Sequence, residues 1–130
     1  MLNMNDFNKY RENFKELNKE FKTWLKGWIL KQGNILIGNI KARTPVDTGE
    51  LRNSWYLKND VQIKGDTVIV KFGNSADYAS HIEYGTPKRP NWKWAEGAHM
   101  MTISMNELLR DMPEFFDYAF REFLKSKGIA

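Results

Sequence analysis

Apolar residues recur at Phe7, Tyr10, Phe14, Leu17, Phe21, Trp24 and Trp28, in steps of three and four that draw one stripe along a helix. Lys and Glu fill most positions between them. The stripe is long enough for a coiled-coil seam, but aromatics crowd the seam positions poorly. Packing against a sheet or a neighbouring subunit suits it better, with the chain's own core the simplest destination. After Trp28 the stripe drifts to Ile29, Leu36 and Ile40, interrupted by Gly27, Gly33 and Gly38. Gly27 and Gly38 lie about three turns apart and share a face. Either they admit another backbone or the helix bends near Gly33-Asn34. The expected helix runs from Asp6 to Arg43, on the order of 55 Å if unbroken, which would project from a small domain or lie along a neighbour.

Pro45 ends that helix and biases Thr44 away from helical geometry. Asp47 or Thr48 is placed to cap a short helix, with Glu50 at the capping-box spacing from Asp47. The period then changes. Trp55, Leu57, Val61 and Ile63 alternate with polar residues, as do Val68, Val70 and Phe72, and Lys64-Gly65-Asp66-Thr67 lies between. Two strands in one hairpin are predicted, with the long helix covering their apolar face. Asn74 or Ser75 can cap a helix over 76–84, with Ala79 and Ile82 inward and Gly85 as its stop. Residues 85–98 read as an extended loop or arm in which Trp92 and Trp94 must fold back or dock on another chain. Met100, Ile103, Leu108 and Leu109 follow in a helix or a strand leading into one, with Thr102 or Ser104 as a cap. Asp111-Met112-Pro113-Glu114 reads as a fresh helix start. Phe115, Phe116, Ala119, Phe120, Phe123 and Leu124 make the apolar face of that last helix, and Gly128 ends it. The expected fold is therefore α+β: a long N-terminal helix, a small antiparallel sheet with a central hairpin, a short helix and a C-terminal amphipathic helix, in a single domain over 1–130.

Composition narrows the function. The chain has 130 residues, no cysteine and a net charge of +4, so disulfides and thiolate sites are excluded and the charge alone does not announce a nucleic-acid binder. No apolar run is long enough for a membrane span, and the first residues lack the basic start and apolar core of a signal peptide, so a cytosolic product is expected. Aromatic content of 14% beside a mean hydropathy of -0.62 suits large anchors spaced by charge. Positive charge gathers early: nine Lys or Arg face four Asp or Glu in residues 1–44, against seven and seven in 45–98 and four and five in 99–130. Lys15, Lys19, Lys22 and Lys26 form a solvated face, a subunit contact, or a surface for DNA or acidic partners. Lys88, Arg89 and Lys93 with Trp92 and Trp94 could touch phosphate and stack on bases, giving a basic nucleic-acid-binding module as an alternative function.

Catalytic chemistry finds little support. Asp47-Thr48-Gly49 is the tripeptide of aspartic proteases, and one copy would require a symmetric homodimer. Such a tripeptide should leave an apolar strand, whereas here Pro45-Val46 precede it and a helix-like pattern follows. This protease stays the remote alternative. No Ser-His-Asp set and no phosphate loop is legible. His81 and His99 have no metal spacing. Neither enzymatic activity, cofactor nor metal is expected.

Ala42-Arg43-Thr44-Pro45-Val46-Asp47-Thr48-Gly49-Glu50-Leu51-Arg52-Asn53-Ser54-Trp55, followed about 25 residues later by Tyr78-Ala79-Ser80-His81-Ile82-Glu83-Tyr84-Gly85-Thr86, resembles the gp-ten-like neck and tail-completion family of tailed bacteriophages. From Gly97 on, Gly-Ala-His-Met-Met-Thr-Ile-Ser-Met-Asn-Glu-Leu-Leu is similar to its contractile-tail branch. The matching blocks span roughly Leu25 to Lys127. The resemblance implies a structural virion protein, made in the host cytoplasm and built into the neck or tail as a ring subunit that completes the tail or joins head to tail. Its expected partners are further copies of itself, in a hexamer, and neighbouring connector, tail-terminator or tail-tube proteins, with non-specific contact to DNA in the channel and none to a membrane. Trp92, Trp94, Lys88, Arg89, Trp24 and Trp28 are the interface candidates. Pro45, Asp47, Thr48, Gly49, Tyr84, Gly85 and Thr86 are the motif residues, expected to build corners.

Overall fold

A single helix, α1 (Met4–Arg43), runs unbroken for 40 residues, about 60 Å at helical rise. The structure is a computed structural model and describes residues 4–46, 49–86 and 95–129. Helix α1 passes through Gly33-Asn34 without a break, and the close approach falls at Gly33 alone. A Cβ there would lie 3.0 Å from Leu57 Cδ1, whereas Gly27 and Gly38 face open space. The expectation that Gly27 and Gly38 admit a second backbone is therefore not met within this chain.

Helix α2 (Glu50–Asn53) follows the Pro45 corner, but its cap is Gly49 in the left-handed conformation, with φ of 83° and no capping side chain. Asp47 and Thr48 lie outside the described residues. The position needs a residue that tolerates positive φ, and glycine does so without steric cost.

The hairpin forms, though not as two continuous strands. β1 (Trp55–Leu57) pairs antiparallel with β4 (Phe72–Asn74), and β2 (Gln62–Lys64) pairs with β3 (Thr67–Ile69). Between the two ladders, residues 58–61 stand opposite residues 70–71 only. Asn59 accepts the Val61 amide in a tight turn at 3.0 Å, a conformation for which asparagine and the adjacent Asp60 are well suited. Because the surplus is an even number of residues, Trp55, Leu57, Val61 and Ile63 keep to one face. Gly65, at φ of 61°, makes the tip.

Helix α3 (Ala79–Tyr84) begins three residues later than the sequence suggested. The Asn74 carboxamide holds the intervening turn, accepting from the Ala76 amide at 2.8 Å and donating to the Leu51 carbonyl at 2.9 Å. Gly85, with φ of 91°, stops the helix. The expected arm stands on an antiparallel pair, β5 (Gly85–Thr86) with β6 (Ala95–Glu96).

Helix α4 (Met100–Ser126) corrects a larger expectation: one 27-residue helix replaces the two segments, and Pro113 sits inside it. Neither Thr102, Ser104 nor Asp111 is a cap. His99 occupies that position with φ of 48°, and the Asp111 carboxylate takes the Arg110 guanidinium instead. Proline leaves the Leu109 carbonyl without its helical donor. Leu109 is exposed, so water can fill the gap, while packing on both sides holds the helix together. At the far end the Gly128 amide donates to the Lys125 carbonyl and the Ile129 amide to the Leu124 carbonyl, both at 3.0 Å, a Schellman stop with Gly128 at φ of 72°.

The fold is thus α+β. Helices α1 and α4 lie antiparallel, and the core forms where α1, α2, β1 and the start of α4 meet: Leu36, Ile37, Ile40, Leu51, Trp55 and Met100.

Candidate assembly surface

The family-like blocks of the sequence converge on one corner. Thr44, almost fully buried, donates from its hydroxyl to the Ile40 carbonyl at 2.7 Å and accepts from the Trp55 indole at 3.0 Å. One hydroxyl thereby satisfies a free carbonyl at the end of α1 and the only polar atom of a buried tryptophan. Beside it, Arg43 donates to the Ser104 hydroxyl at 2.9 Å and to Glu107, tying the end of α1 to α4. Pro45 is exposed and serves as the breaker alone.

The second block supplies a residue that sequence reasoning missed. Glu83 is 3% exposed, and its carboxylate accepts from the Met101 amide at 2.6 Å and from the Thr102 amide and hydroxyl at 3.2 and 3.0 Å. It caps α4 from another helix, where an anion meets the positive end of the helix dipole. The available signal was its position four residues after the inward Ala79, which puts it on the buried face of α3. Gly97 lies against the same backbone, so close that a Cβ would fall 2.3 Å from the Glu83 carbonyl oxygen. Tyr84 is exposed, and Gly85 and Thr86 form the strand that starts the arm.

Of the interface candidates, Trp24 and Trp28 are described, and both are half-buried in an aromatic zipper between α1 and α4. Trp24 stacks on Phe123 at 5.0 Å between centroids, Trp28 meets Phe116 edge-on at 5.3 Å, and Phe21 meets Phe120 at 5.5 Å. They serve first as internal packing. Trp92, Trp94, Lys88 and Arg89 lie outside the described residues.

One edge of the zipper opens into a groove of about 1120 Å³ between α1 and α4. Its apolar lining includes Trp28, Ile35, Leu108, Phe115 and Tyr118, of which Ile35, Phe115 and Tyr118 are exposed. Glu107, Asp111, Glu114 and Glu122 stand along the α4 side and Lys31 on the α1 side. The hydrogen bond from Arg110 holds the Asp111 carboxyl below its ordinary value. Such a surface, apolar within and charged at the rim, is suited to burying a partner's side chains.

It is less suited to catalysis. Gly49 opens a helix, not the end of an apolar strand as a protease tripeptide would. His81 is exposed on α3 and His99 stands at the start of α4. Among the described residues no group of three or more His, Asp or Glu could hold a metal ion, and no helix is long and apolar enough to cross a membrane.

Comparison with known families matches residues 8–85 to the HK97-gp10-like model, described as "Bacteriophage HK97-gp10, putative tail-component". No curated protein and no solved structure matches the chain.

Proposed function

We propose, from the premise that the chain belongs to the HK97-gp10-like family of bacteriophage tail components, that it is one subunit of a ring at the neck or upper end of the tail. Membership makes it a structural protein of the phage tail, and so of the virion. The finer placement is the joint between head and tail, where the ring completes the tail. The contractile-tail assignment rests on the stretch from Gly97 to Leu109, which lies beyond the matched residues. Partners in this reading are further copies of the chain and the adjoining connector, tail-terminator or tail-tube proteins, with DNA passing through the opening.

The observation that carries the ring is the amount of bulky apolar surface left on a chain with a full core of its own. Ile35, Phe115 and Tyr118 are exposed together along one groove, and Phe14, Ile103 and Leu109 are exposed elsewhere on the two long helices. Contiguous exposed apolar surface on a soluble chain marks an interaction site. Closed rings result when one surface of a subunit meets a different surface of the next and the rotation closes.

Native mass spectrometry of the purified protein, alone and with tail tubes, tests it. A closed multiple of the 15.3 kDa chain is expected, about sixfold for the hexamer. A chain that remains at 15.3 kDa in both settings overturns the ring. So does assembly of sealed, competent tails by particles that lack the protein.

A further inference from the structure

We infer that residues 4–19 of α1 form a limb that docks in the α1–α4 groove of a second copy of this chain. This rests on the ring reading and names the contact that would build it.

The limb is the part of α1 that runs past the end of α4, whose last turns at Phe120, Phe123 and Leu124 still border Leu17 and Phe14 at its root. The two helices run antiparallel, and Lys127, just past the end of α4, pairs with Glu20 at 3.1 Å. The turn at Gly128 stops α4 there. From Met4 to Lys19 the helix extends on the order of 24 Å beyond that pair, with α4 bordering only its root. Its apolar stripe continues with it. Phe21 packs among Trp24, Phe120 and Phe123, whereas Phe14, two turns back on the same stripe, is 68% exposed. Phe7, Tyr10 and Leu17 complete the stripe by spacing. Among the described residues this face is packed at Phe21, half-buried at Leu17 and open at Phe14.

The groove has matching dimensions and chemistry. Along α4 it reaches from Glu107 to Ser126, on the order of 28 Å, close to the length of the limb. Three aromatic side chains of about 150–250 Å² each, with Leu17, give the limb an apolar area of the order of the ~800 Å² per partner in a stable interface. On the α4 wall Glu107, Asp111 and Glu122 already have cations in Arg43, Arg110 and Lys125, but Glu114 forms no ion pair among the described residues. On the limb Lys9, Arg11 and Lys19 likewise form none. Seating the limb brings those cations to the rim where Glu114 stands.

The occupant must come from another copy. Trp24, Trp28 and Ile35, which line the groove, belong to the same continuous helix as the limb. A chain cannot lay the first part of α1 into a groove walled by the middle of α1 without breaking it. Limb into the next groove is a head-to-tail contact between unlike surfaces, the kind that closes into a ring.

The absence of cysteine allows a direct test. A Leu17→Cys chain is mixed with a Tyr118→Cys chain and oxidised mildly. Disulfide-linked heterodimers are expected, and the chain carrying both substitutions should give a ladder ending at the ring mass. Alongside, Phe14→Glu with Leu17→Glu should keep the far-ultraviolet circular dichroism and thermal transition of a folded chain while weakening assembly on the order of tenfold or more. Adducts only between like chains, limb to limb, overturn the proposal. Rings that persist undiminished in the Phe14→Glu, Leu17→Glu chain overturn it as well and leave the ring reading intact. A wild-type chain that never exceeds one chain's mass, alone or with tail tubes, removes the ring reading and the limb contact with it.

Discussion

The indole N–H of Trp55 donates to the hydroxyl of Thr44 across 3.0 Å, eleven residues apart in sequence and on either side of the Pro45 corner. Since both groups are buried, that bond cannot be exchanged for one to water. Thr44→Val keeps the shape of the side chain and leaves the indole and the Ile40 carbonyl unsatisfied. The expected loss is about 1–3 kcal/mol by urea unfolding, with Thr44→Ser retaining most of the wild-type stability. A Thr44→Val chain as stable as wild type would show that the bond does not hold the corner.

Glu83 makes the analogous link at the start of α4. Glu83→Ala strips two first-turn amides of α4 of their acceptor and should cost about 1–3 kcal/mol, while Glu83→Gln, which keeps one acceptor oxygen, should cost less. Amide hydrogen exchange would locate the damage: Met101 and Thr102 should lose protection before the middle of α4 does.

Glycine substitutions should split into two groups. Gly97→Ala drives a Cβ into the Glu83 carbonyl, against backbone that cannot swing aside, and should cost about 1–3 kcal/mol. Gly27→Ala and Gly38→Ala meet nothing within 4 Å among the described residues and should stabilise α1 by up to about 1 kcal/mol each. Melting temperatures of the three variants, measured on the unassembled chain, would separate the groups.

Phe123 is the most enclosed ring of the zipper, stacked on Trp24 and sitting near Phe21 and Phe120. Phe123→Ala should cost about 3 kcal/mol and loosen the α1–α4 pair as a unit. Phe115→Ala, on the exposed side of the same helix, should leave the stability of the isolated chain within about 0.5 kcal/mol of wild type. Equal losses in the two variants would contradict the division between packing and docking surfaces.

Asp111 provides a check by pH. Its folded carboxyl lies below its ordinary value because Arg110 donates to it. Any stabilisation from the pair is therefore complete above the unfolded value and lost as pH falls through the lowered folded one. A carbon-detected NMR titration should place the Asp111 midpoint below 3.8, and Arg110→Gln should return it toward that figure.

Much of the fold was legible because it depends on periodicity. The stripe from Phe21 to Trp28 and the alternation from Trp55 to Ile63 each specify one inward face, and both elements form in the expected places. The boundaries were harder, for a physical reason. Gly49 and His99 open their helices with left-handed backbone and make no side-chain cap of their own, so the Thr102, Ser104 and Asp111 signals misled. Pro113 read as a start because its missing donor is costly inside an isolated helix. Tertiary packing and exposure of the freed carbonyl, neither visible locally, reversed that preference. In the candidate surface the aromatic pattern indicated Trp24 and Trp28 but could not tell a zipper facing inward from an anchor facing out. That distinction depends on where α4 ends. Glu83 was overlooked because a carboxylate four residues after Ala79 marks a buried position without saying what would pair with it; its role appears only once α4 is placed over it.

The unbroken backbone of α1 also has a mechanical consequence. A rod gripped by Trp24 and Phe123 and seated beyond them by the buried Leu36, Ile37 and Ile40 behaves as a cantilever built into the body. A load applied toward Met4 is therefore carried by the unbroken helix into its built-in half, with no joint between them to absorb it.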